Sequence, residues 1–266
     1  MFLCRQMKLK FHKYQGTGND FVVIDNRRGT FPKKDTKLVA GLCDRKFGIG
    51  ADGLLLLEDD KMSDFSMVYF NADGAPGSMC GNGGRCLVAF AHHLGLIGSE
   101  TSFNAVDGLH HAGIKGEDVK LRMVDVHEIH QKKNHIFLNT GSPHHVQLVK
   151  NLKDFDVDRE GRKLRYGLYG KTGSNINFVE PLEGNSFLVR TYERGVEAET
   201  LSCGTGVTAV ALAMHKLGRT DSKLVDIKTL GGDLSISFEP QGDGYANVFL
   251  IGPAKLVYKG EIECYV

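Results

Sequence analysis

An internal repeat constrains this chain more than any other feature of its sequence. The segment from Cys80 to Gly95 aligns without a gap with the segment from Cys203 to Gly218, 123 residues further on. Cys, two Gly, His, Leu and the final Gly coincide in the two segments. A strand-like run and a polar turn precede each copy. We therefore interpret the chain as two related halves, each contributing one Cys-Gly-x-Gly loop that leads into a helix. Chance similarity between two helix starts rich in small residues is the alternative.

The repeat also suggests where the chain divides. Its 266 residues are enough for two domains of ordinary size. We place the joint in the polar stretch from Asp125 to Asn134, which gives halves of residues 1–126 and 127–252.

Hydrophobic patterning predicts many short strands and few helices, which is typical of an α+β fold. The predicted strands are Phe21–Asp25, Leu54–Leu57, Phe65–Phe70, Val119–Met123, His145–Val149, Phe187–Thr191, Leu234–Phe238 and Ala246–Ile251. The predicted helices are Thr36–Phe47, Cys86–Leu94 and Thr208–Leu217, ending near Gly48, Gly95 and Gly218.

Charge and composition restrict the partners. The net charge is +1, so nothing suggests broad attraction to nucleic acid or to anionic lipid, and a small molecule or another protein is the expected partner. No apolar run is long enough to span a bilayer or to form a secretory signal, and we expect a cytoplasmic protein. The six cysteines include no Cys-x-x-Cys pair, which indicates free thiols in a reducing compartment.

The two loops suggest acid/base chemistry by thiols. A cysteine just ahead of a helix lies at the positive end of the helix dipole, where its pKa can fall below the usual value of about 8.5. The Gly-x-Gly that follows exposes backbone N–H groups that can bind a carboxylate or phosphate. One such loop is more often structural. Two related copies indicate a thiolate and a thiol on opposite faces of one carbon, which is suited to inverting a stereocentre.

Such an inversion can proceed without a cofactor. The helix N-termini at Gly81-Asn82 and Gly204-Thr205 would meet the negative charge that develops beside the substrate carboxylate. No lysine motif indicates pyridoxal phosphate, and the histidine pairs have no recognised metal-ligand spacing, so we expect neither a cofactor nor a metal.

Several further side chains have two interpretations. Glu193 and Arg194 can bind an ammonium and a carboxylate, or can form a solvated ion pair at a strand end. His144 can orient a thiol or transfer a proton, or can be a structural turn residue. Asn19 and Asn71 taken alone are typical of turns.

The motifs resemble those of the diaminopimelate epimerase family, whose members interconvert the LL and meso forms of diaminopimelate. The matching segments run through nearly the whole chain: Gly16–Phe21, Phe47–Gly53, Asn71–Gly74, Met79–Cys86, Pro143-His144, Tyr192–Gly195, Ser202–Gly206 and Gly252–Ala254. The resemblance implies two pseudo-symmetric α/β domains, each a curled, mainly antiparallel sheet around a central helix, with residues 253–266 returning to the first domain. It further implies a homodimer, a cofactor-independent mechanism with two thiols, and a place in lysine and peptidoglycan precursor synthesis.

The resemblance also assigns roles to residues. Cys80 and Cys203 match the acid/base pair, and His144 and Glu193 match residues placed near the thiols. Tyr258 matches a tyrosine at the dimer contact. The substrate-binding positions are matched by Asn19, Asn71, Gly81, Asn82, Asn175, Glu193, Arg194, Gly204 and Thr205.

Two positions depart from the family pattern. Ser142 replaces the usual asparagine of a Gly-Asn-Pro-His turn, and Gly53 replaces a glutamine that touches substrate in some members. Because serine still donates and accepts hydrogen bonds, we expect a modest effect on binding of the distal centre and none on inversion.

Three other functions compete with this interpretation. Another two-cysteine enzyme, such as a proline racemase-like protein, would have different motifs around Asn19 and Glu193-Arg194. A thiol redox protein would use Cys86 as its resolving cysteine, but six positions along the same helix is unsuited to a disulfide with Cys80. A non-catalytic binding module would keep its function when either Cys80 or Cys203 is replaced by alanine.

Overall fold

A computed structural model describes residues 6–265 of the chain. The chain folds into two compact units. Unit 1 comprises the described residues up to Leu121 together with those from Pro253 onward, and unit 2 runs from Arg122 to Gly252. None of the helices in this described part has the length and apolar character needed to cross a membrane.

Unit 1 is a mixed sheet with two helices. The elements are β1 (Gln6–Gly16), β2 (Asn19–Asp25), α1 (Thr36–Cys43), β3 (Gly53–Glu58), β4 (Phe65–Asn71), α2 (Gly81–His93), β5 (Glu100–Ala105), β6 (Gly108–Lys115), β7 (Asp118–Arg122) and β17 (Lys255–Tyr265). Strands β17, β1 and β2 pair antiparallel, β2 pairs with β3 in parallel, and β3 with β4 antiparallel. A second parallel pair, β4 with β5, leads to the antiparallel series β5, β6 and β7.

Unit 2 has the same kinds of element. These are β8 (Ile129–Gln131), β9 (Ile136–Asn139), β10 (Pro143–Leu148), α3 (Val157–Gly167), β11 (Asn175–Pro181), β12 (Ser186–Glu193), β13 (Ala198–Thr200), α4 (Gly204–Lys216), β14 (Leu224–Thr229), β15 (Gly232–Gln241) and β16 (Gly244–Pro253). Strands β8, β9 and β10 pair antiparallel, β10 with β11 in parallel, and β11 with β12 antiparallel. The short β13 pairs antiparallel with β12. Again a parallel pair, β12 with β14, precedes the antiparallel series β14, β15 and β16.

The two units therefore share one order of pairing, and each carries a central helix at the same point in it. In each unit the chain leaves a strand, passes through a cysteine loop and enters a helix of 13 residues, α2 or α4. Both helices are buried on nearly all sides, since every residue from Gly81 to Ala91 of α2 is buried and so are ten residues of α4. Apolar side chains such as Leu87, Phe90, Val210 and Leu212 provide this burial. The predicted α+β fold with a curled sheet around a central helix is confirmed.

The structure confirms all eight predicted strands and corrects the bounds of the predicted helices. Both central helices begin earlier than predicted, by five and four residues, directly after Cys80 and Cys203, because burial stabilises glycine-rich first turns that have low intrinsic helix propensity. The first helix ends at Cys43 rather than Phe47, since Asp44 leaves the helical conformation and its carboxylate accepts hydrogen bonds from the backbone N–H groups of Lys46 and Phe47. Gly95 and Gly218 end the central helices as predicted, with φ of 70° and 64°.

Candidate active site

The first repeat loop places Cys80 at the N-cap of α2. The first intrahelical hydrogen bond runs from Gly84 N to Cys80 O at 2.8 Å, so the N–H groups of residues 81–83 precede the helical ladder. No acidic residue lies in the first turn to offset the positive end of the helix dipole. This end of α2 is therefore suited to an anion.

Asn19 connects Cys80 to the rest of unit 1. The Cys80 sulfur lies 3.6 Å from Asn19 Oδ1, and Asn82 Nδ2 lies 3.4 Å from the same oxygen. Asn19 Nδ2 donates to Asp52 Oδ2 at 2.8 Å. Three predicted site residues thus meet in one hydrogen-bonded group, held by Asp52, which the sequence analysis did not single out.

A buried arginine supports this group from within α2. Arg85 is fully buried; its Nη1 donates to Asn82 Oδ1 at 3.0 Å and its Nη2 to Thr17 Oγ1 at 3.2 Å. Burial lowers the pKa of Arg85. The neighbouring Cys86 is fully buried too, and burial raises its pKa to about 12, which keeps it a neutral packing residue near pH 7.

The second repeat loop reproduces the first in unit 2. Cys203 is the N-cap of α4, Val207 N donates to Cys203 O at 2.9 Å, and the first turn again contains no acidic residue. Cys203 is buried, with 7% of its surface exposed, and its sulfur lies 3.5 Å from Thr205 Oγ1.

His144 and Ser142 lie beside this loop. His144 is fully buried, and burial lowers its pKa to about 3 with a smaller contribution from the positive charge of Arg194. Its Nε2 lies 3.0 Å from Ser142 Oγ, which in turn lies 3.2 Å from Thr205 Oγ1. The predicted residue His144 therefore reaches the second loop through the hydroxyl of Ser142.

Asn177 is a buried member of the site that the sequence analysis missed. Its Nδ2 donates to His145 O at 2.9 Å and lies 3.1 Å from His144 Nδ1. A Cβ atom at Gly206 would lie 2.4 Å from Asn177 Oδ1, so the second glycine of this loop leaves the space that Asn177 fills. Side chains two positions apart in a strand lie on the same face, so Asn177 shares a face of β11 with the predicted residue Asn175. This alternation could have identified Asn177 from the sequence.

The end of β12 contributes the remaining predicted residues of unit 2. Arg194 N donates to Asn175 Oδ1 at 2.8 Å, and Asn175 Nδ2 donates to Ser142 Oγ at 3.0 Å. Arg194 Nη1 donates to the carbonyl of Thr172 at 3.0 Å. Burial raises the pKa of Glu193 above its usual value.

Two further predicted residues form other contacts. Asn71 ends β4, pairs with Gly53 and forms a turn in which Gly74 N donates to Asn71 O at 2.9 Å. Tyr258 lies on β17, where its ring packs edge-on against Phe11 and its hydroxyl lies 3.3 Å from the carbonyl of Ile49.

The departure at Gly53 has a local explanation. A Cβ atom there would lie 2.5 Å from Tyr69 Cε2 and 2.6 Å from the carbonyl oxygen of Phe70. Tyr69 thus occupies the space that a larger side chain at position 53 would need.

The two repeat loops, at Cys80 and at Cys203, offer the same chemical groups. Each unit presents a cysteine sulfur and a helix N-terminus together, so each can bind a carboxylate beside a thiol. Within residues 6–265, no three His, Cys, Asp or Glu side chains converge as metal ligands would.

The sequence is similar to known proteins over nearly its whole length. The family model described as "Diaminopimelate epimerase" matches residues 11–128 and 136–257. The chain is 56% identical to a protein of Flavobacterium psychrophilum named diaminopimelate epimerase, over 96% of this chain and all of that one. A protein of the same name from Chlorobaculum tepidum is 44% identical, with 93% of this chain and 98% of the relative covered.

Solved structures share the fold at much lower identity. A phenazine biosynthesis protein of the PhzF family from Bacillus anthracis superposes with a TM-score of 0.78 at 13% identity, covering 96% of this chain and 99% of the other. A hydroxyproline epimerase from Agrobacterium vitis gives a TM-score of 0.69 at 14% identity, covering 97% and 93%.

Proposed function

The chain belongs to the diaminopimelate epimerase family, and we propose that it interconverts LL- and meso-diaminopimelate by moving one proton at the α-carbon between two cysteines. The observation that carries this proposal is the repeated placement of a cysteine as the N-cap of a buried central helix, Cys80 on α2 and Cys203 on α4. One catalytic cysteine in each unit is the minimum that inversion by two bases requires.

In the proposed reaction the two cysteines have different roles. One cysteine, as a thiolate, takes the α-proton, and the other, as a thiol, delivers a proton to the opposite face of the same carbon. The roles exchange in the reverse reaction. Backbone N–H groups stabilise the negative charge that develops on the α-carboxylate, and this lowers the free energy needed to form the carbanion. These groups are already oriented in the free protein, at Gly81, Asn82, Gly204 and Thr205.

The other matched residues would bind the polar groups of the substrate. Arg194 has a guanidinium suited to a carboxylate, Glu193 has a carboxyl group suited to an ammonium, and Asn19, Asn71 and Asn175 have amides that can contact either. His144 and Glu193 lie near the thiols in this proposal. Neutral His144 acts through hydrogen bonds, because its lowered pKa keeps it uncharged near pH 7.

We also propose the setting in which the enzyme works. It needs no cofactor, since the thiols and the backbone N–H groups provide every group that the proton transfers require. A homodimer would form around Tyr258, where three consecutive residues of β17, Leu256 to Tyr258, are 39%, 56% and 44% exposed. The cytoplasm would keep the thiols reduced, and the product would serve lysine and peptidoglycan precursor synthesis.

The test is conversion of LL- to meso-diaminopimelate by the purified, reduced protein without any added cofactor, with the isomers separated by chromatography. Proline, hydroxyproline and glutamate serve as comparison substrates. Formation of the meso isomer, with the other substrates unchanged, supports the proposal. Inversion of proline or hydroxyproline instead would assign the chain to another two-cysteine activity, and no inversion of any substrate would contradict an epimerase function.

A further inference from the structure

A tight turn after β12 contains Arg194, and Glu197 closes that turn. Glu197 N donates to Glu193 O at 2.8 Å, and the Glu197 carboxylate accepts from Gly195 N at 3.1 Å. Glu197 has a φ of 60°, in the left-handed region that residues with a side chain rarely adopt. Such a conformation persists only where surrounding contacts enforce it, and these hydrogen bonds contribute to that.

The carboxylate of Glu197 also binds Arg165, a residue of α3. Arg165 Nη2 lies 3.1 Å from Glu197 Oε1, and Arg165 Nε donates to the same oxygen at 3.2 Å. Arg165 is buried, with 8% of its surface exposed. Burial alone would raise the pKa of Glu197, but the hydrogen bond from Gly195 N–H and the charge of Arg165, among other contacts, outweigh it and lower the pKa. Glu197 is therefore ionised near pH 7, and the contact is a salt bridge.

The same guanidinium holds the segment between α3 and β11, residues 168–174. Arg165 Nη1 donates to the carbonyl of Gly170 at 2.7 Å. Gly173 has a φ of 69°, and a Cβ atom there would lie 2.4 Å from Arg165 Cζ, so the segment packs directly against the guanidinium. One buried side chain thus ties the 168–174 segment to the turn of residues 193–197.

Arg194 connects these two stretches of chain. Its backbone is part of the 193–197 turn, where its N–H donates to Asn175 Oδ1 at 2.8 Å. Its guanidinium reaches the 168–174 segment, where Nη1 donates to the carbonyl of Thr172 at 3.0 Å. Because a guanidinium is planar, a hydrogen bond to a fixed carbonyl restricts the directions of its other N–H donors. Such donors can bind a carboxylate in a bidentate pair.

From these contacts we infer that Arg165 is a positioning residue for Arg194. It acts on the backbone of Arg194 through Glu197 and on the guanidinium through the 168–174 segment. This inference rests on the proposed function, since that function assigns Arg194 to a carboxylate of the substrate. It adds Arg165 and Glu197, which the sequence analysis did not single out, to the residues on which substrate binding depends.

A second salt bridge in unit 2 provides a comparison. Arg190 Nε donates to Glu199 Oε1 at 2.6 Å, and Arg190 Nη1 donates to the carbonyl of Leu152 at 2.8 Å. The side chains of this pair are 14% and 17% exposed, against 10% and 29% for Arg165 and Glu197. The two pairs are therefore similar in burial, but the contacts of Arg190 join β12 to the residues that precede α3.

The first test is the steady-state kinetics of Arg165→Gln with diaminopimelate. In the proposed reaction the loop N–H groups bind the α-carboxylate, so the carboxylate left for Arg194 takes no part in the proton transfer. Loss of the orientation of Arg194 should weaken the ground state and the transition state alike. We expect KM to rise about tenfold and kcat to stay within about threefold of the wild type. An unchanged KM, or a loss in kcat alone, would overturn the positioning role.

Glu197→Gly tests the other member of the salt bridge and separates the lost carboxylate from a folding defect. Glycine adopts a φ of 60° without strain, so the turn can keep its backbone while it loses the contact with Arg165. We expect a rise in KM in this variant too. In the double variant with Arg165→Gln, KM should rise by less than the product of the two single effects, because both act through one contact. Independent effects would contradict the coupling of Arg165 to Glu197.

Arg190→Gln is the matched control for a general loss of stability. It should lower the urea midpoint of unfolding, as Arg165→Gln does, because each substitution leaves a partly buried carboxylate without its cation. It should leave KM unchanged. A rise in KM as large as that of Arg165→Gln would attribute the effect to lost stability and contradict the inference.

Hydrogen–deuterium exchange of the substrate-free protein, followed by mass spectrometry, distinguishes failure of this inference from failure of the proposed function. Arg165→Gln should speed the exchange of backbone N–H groups in both the 193–197 turn and the 168–174 segment. Unchanged exchange in either stretch would overturn the inference whatever the substrate. If the wild type does not invert diaminopimelate, the proposed function fails, and the exchange rates still support or contradict the role of Arg165 in holding Arg194.

Discussion

At the scale of single residues, the two halves of the repeat differ in charge at the fifth position after each cysteine. Arg85 in unit 1 donates to Asn82 and Thr17, whereas Thr208 in unit 2 donates back to the carbonyl of Gly204 at 2.9 Å. A buried cation therefore organises the first loop and a neutral helix residue follows the second. Two loops with the same backbone consequently differ in the groups that they direct at sulfur.

Replacing either motif cysteine tests the chemistry directly. Cys80→Ala and Cys203→Ala should each lower the rate of epimerisation by roughly a hundred- to ten-thousandfold, since each removes one of two required proton-transfer groups. Cys264→Ala, a change to a core thiol on β17, should retain activity. Steady-state rates, with circular dichroism to verify folding, make the comparison. Retained activity in either motif variant would exclude the two-thiol mechanism.

The sequence predicts the two cysteines and the residues adjacent to them, but not the residues that orient them. A Cys-Gly-x-Gly repeat is local, so Cys80 and Cys203 can be recognised from spacing alone. Asp52 contacts Asn19 and Asn177 contacts His144, and in both pairs the partners are 33 positions apart and meet through pairing of separate strands. No local pattern encodes such contacts, because they depend on strand register.

At the scale of elements, the glycines of the two loops have unequal surroundings. Gly206 and Gly83 occupy the same position of the repeat. A Cβ atom at Gly206 would lie 2.4 Å from Asn177 Oδ1, in a buried and fully hydrogen-bonded side chain, whereas one at Gly83 would lie 3.3 Å from the flexible end of Met67.

We therefore expect the two alanine variants to differ. Gly206→Ala should displace Asn177 and lower kcat/KM at least about tenfold, with a loss of about 1–3 kcal/mol in the free energy of unfolding. Gly83→Ala is the matched control and should change that free energy by less than about 1 kcal/mol. Urea unfolding and initial rates measure both effects. Equal losses in the two variants would contradict the assigned role of Asn177.

A second element-scale prediction concerns Asp20, which ties β2 to β1 and to the turn after α1. Its carboxylate forms ion pairs with Lys13 at 2.6 Å and Arg45 at 2.7 Å. Burial alone would raise the pKa of Asp20, but the hydrogen bonds from Arg45 and Lys13 outweigh it and lower the pKa to about 2. Because the folded value lies below the unfolded one, this stabilisation is present above about pH 4 and is lost as the pH falls toward 2.

Asp20→Asn should lower the free energy of unfolding at pH 7 by about 2 kcal/mol and weaken its decline between about pH 5 and about pH 2. Urea unfolding across this range is the measurement. Asp118→Asn, at an exposed carboxylate in the β6–β7 hairpin, is the control and should follow the wild-type pH dependence. An Asp20→Asn profile parallel to that of the wild type would contradict the ion-pair account.

Sequence patterns predict only part of the strands and some of the helix ends. The eight predicted strands are confirmed, but the other nine strands of the described residues, β1, β5, β6, β8, β9, β11, β13, β14 and β17, were not predicted. Strands such as β1, β6 and β17 carry polar and charged residues that mask their apolar face. The central helices were predicted to start too late, since their glycines have low propensity and only burial explains the helical conformation.

At the scale of the whole molecule, the repeated order of strand pairing extends the repeat from its two short segments to the entire fold. In each unit, a parallel pair, an antiparallel pair and a central helix follow one another in the same order. Both units therefore present a cysteine at an equivalent helix N-terminus. This equivalence supports the proposed exchange of acid and base roles in the reverse reaction.

The proposed dimer gives a prediction at the same scale. Tyr258→Ala should weaken self-association, because it removes an exposed aromatic ring from the surface of β17. Leu230→Ala, at a residue that is 56% exposed in unit 2, is the control and should leave association unchanged. Sedimentation velocity over a range of protein concentrations measures both variants. A wild-type monomer at all concentrations would contradict the proposed dimer.

The most direct test of the central claim is the fate of the α-proton in D2O. Reduced protein is mixed with LL-diaminopimelate without a cofactor, the isomers are separated at low conversion, and mass spectrometry counts the deuterium in each. With two thiols, the meso product should contain one solvent deuteron from the outset while the remaining LL substrate keeps its protium. Protium retained in the product, or deuterium entering the LL isomer before inversion, would contradict proton transfer between two cysteines.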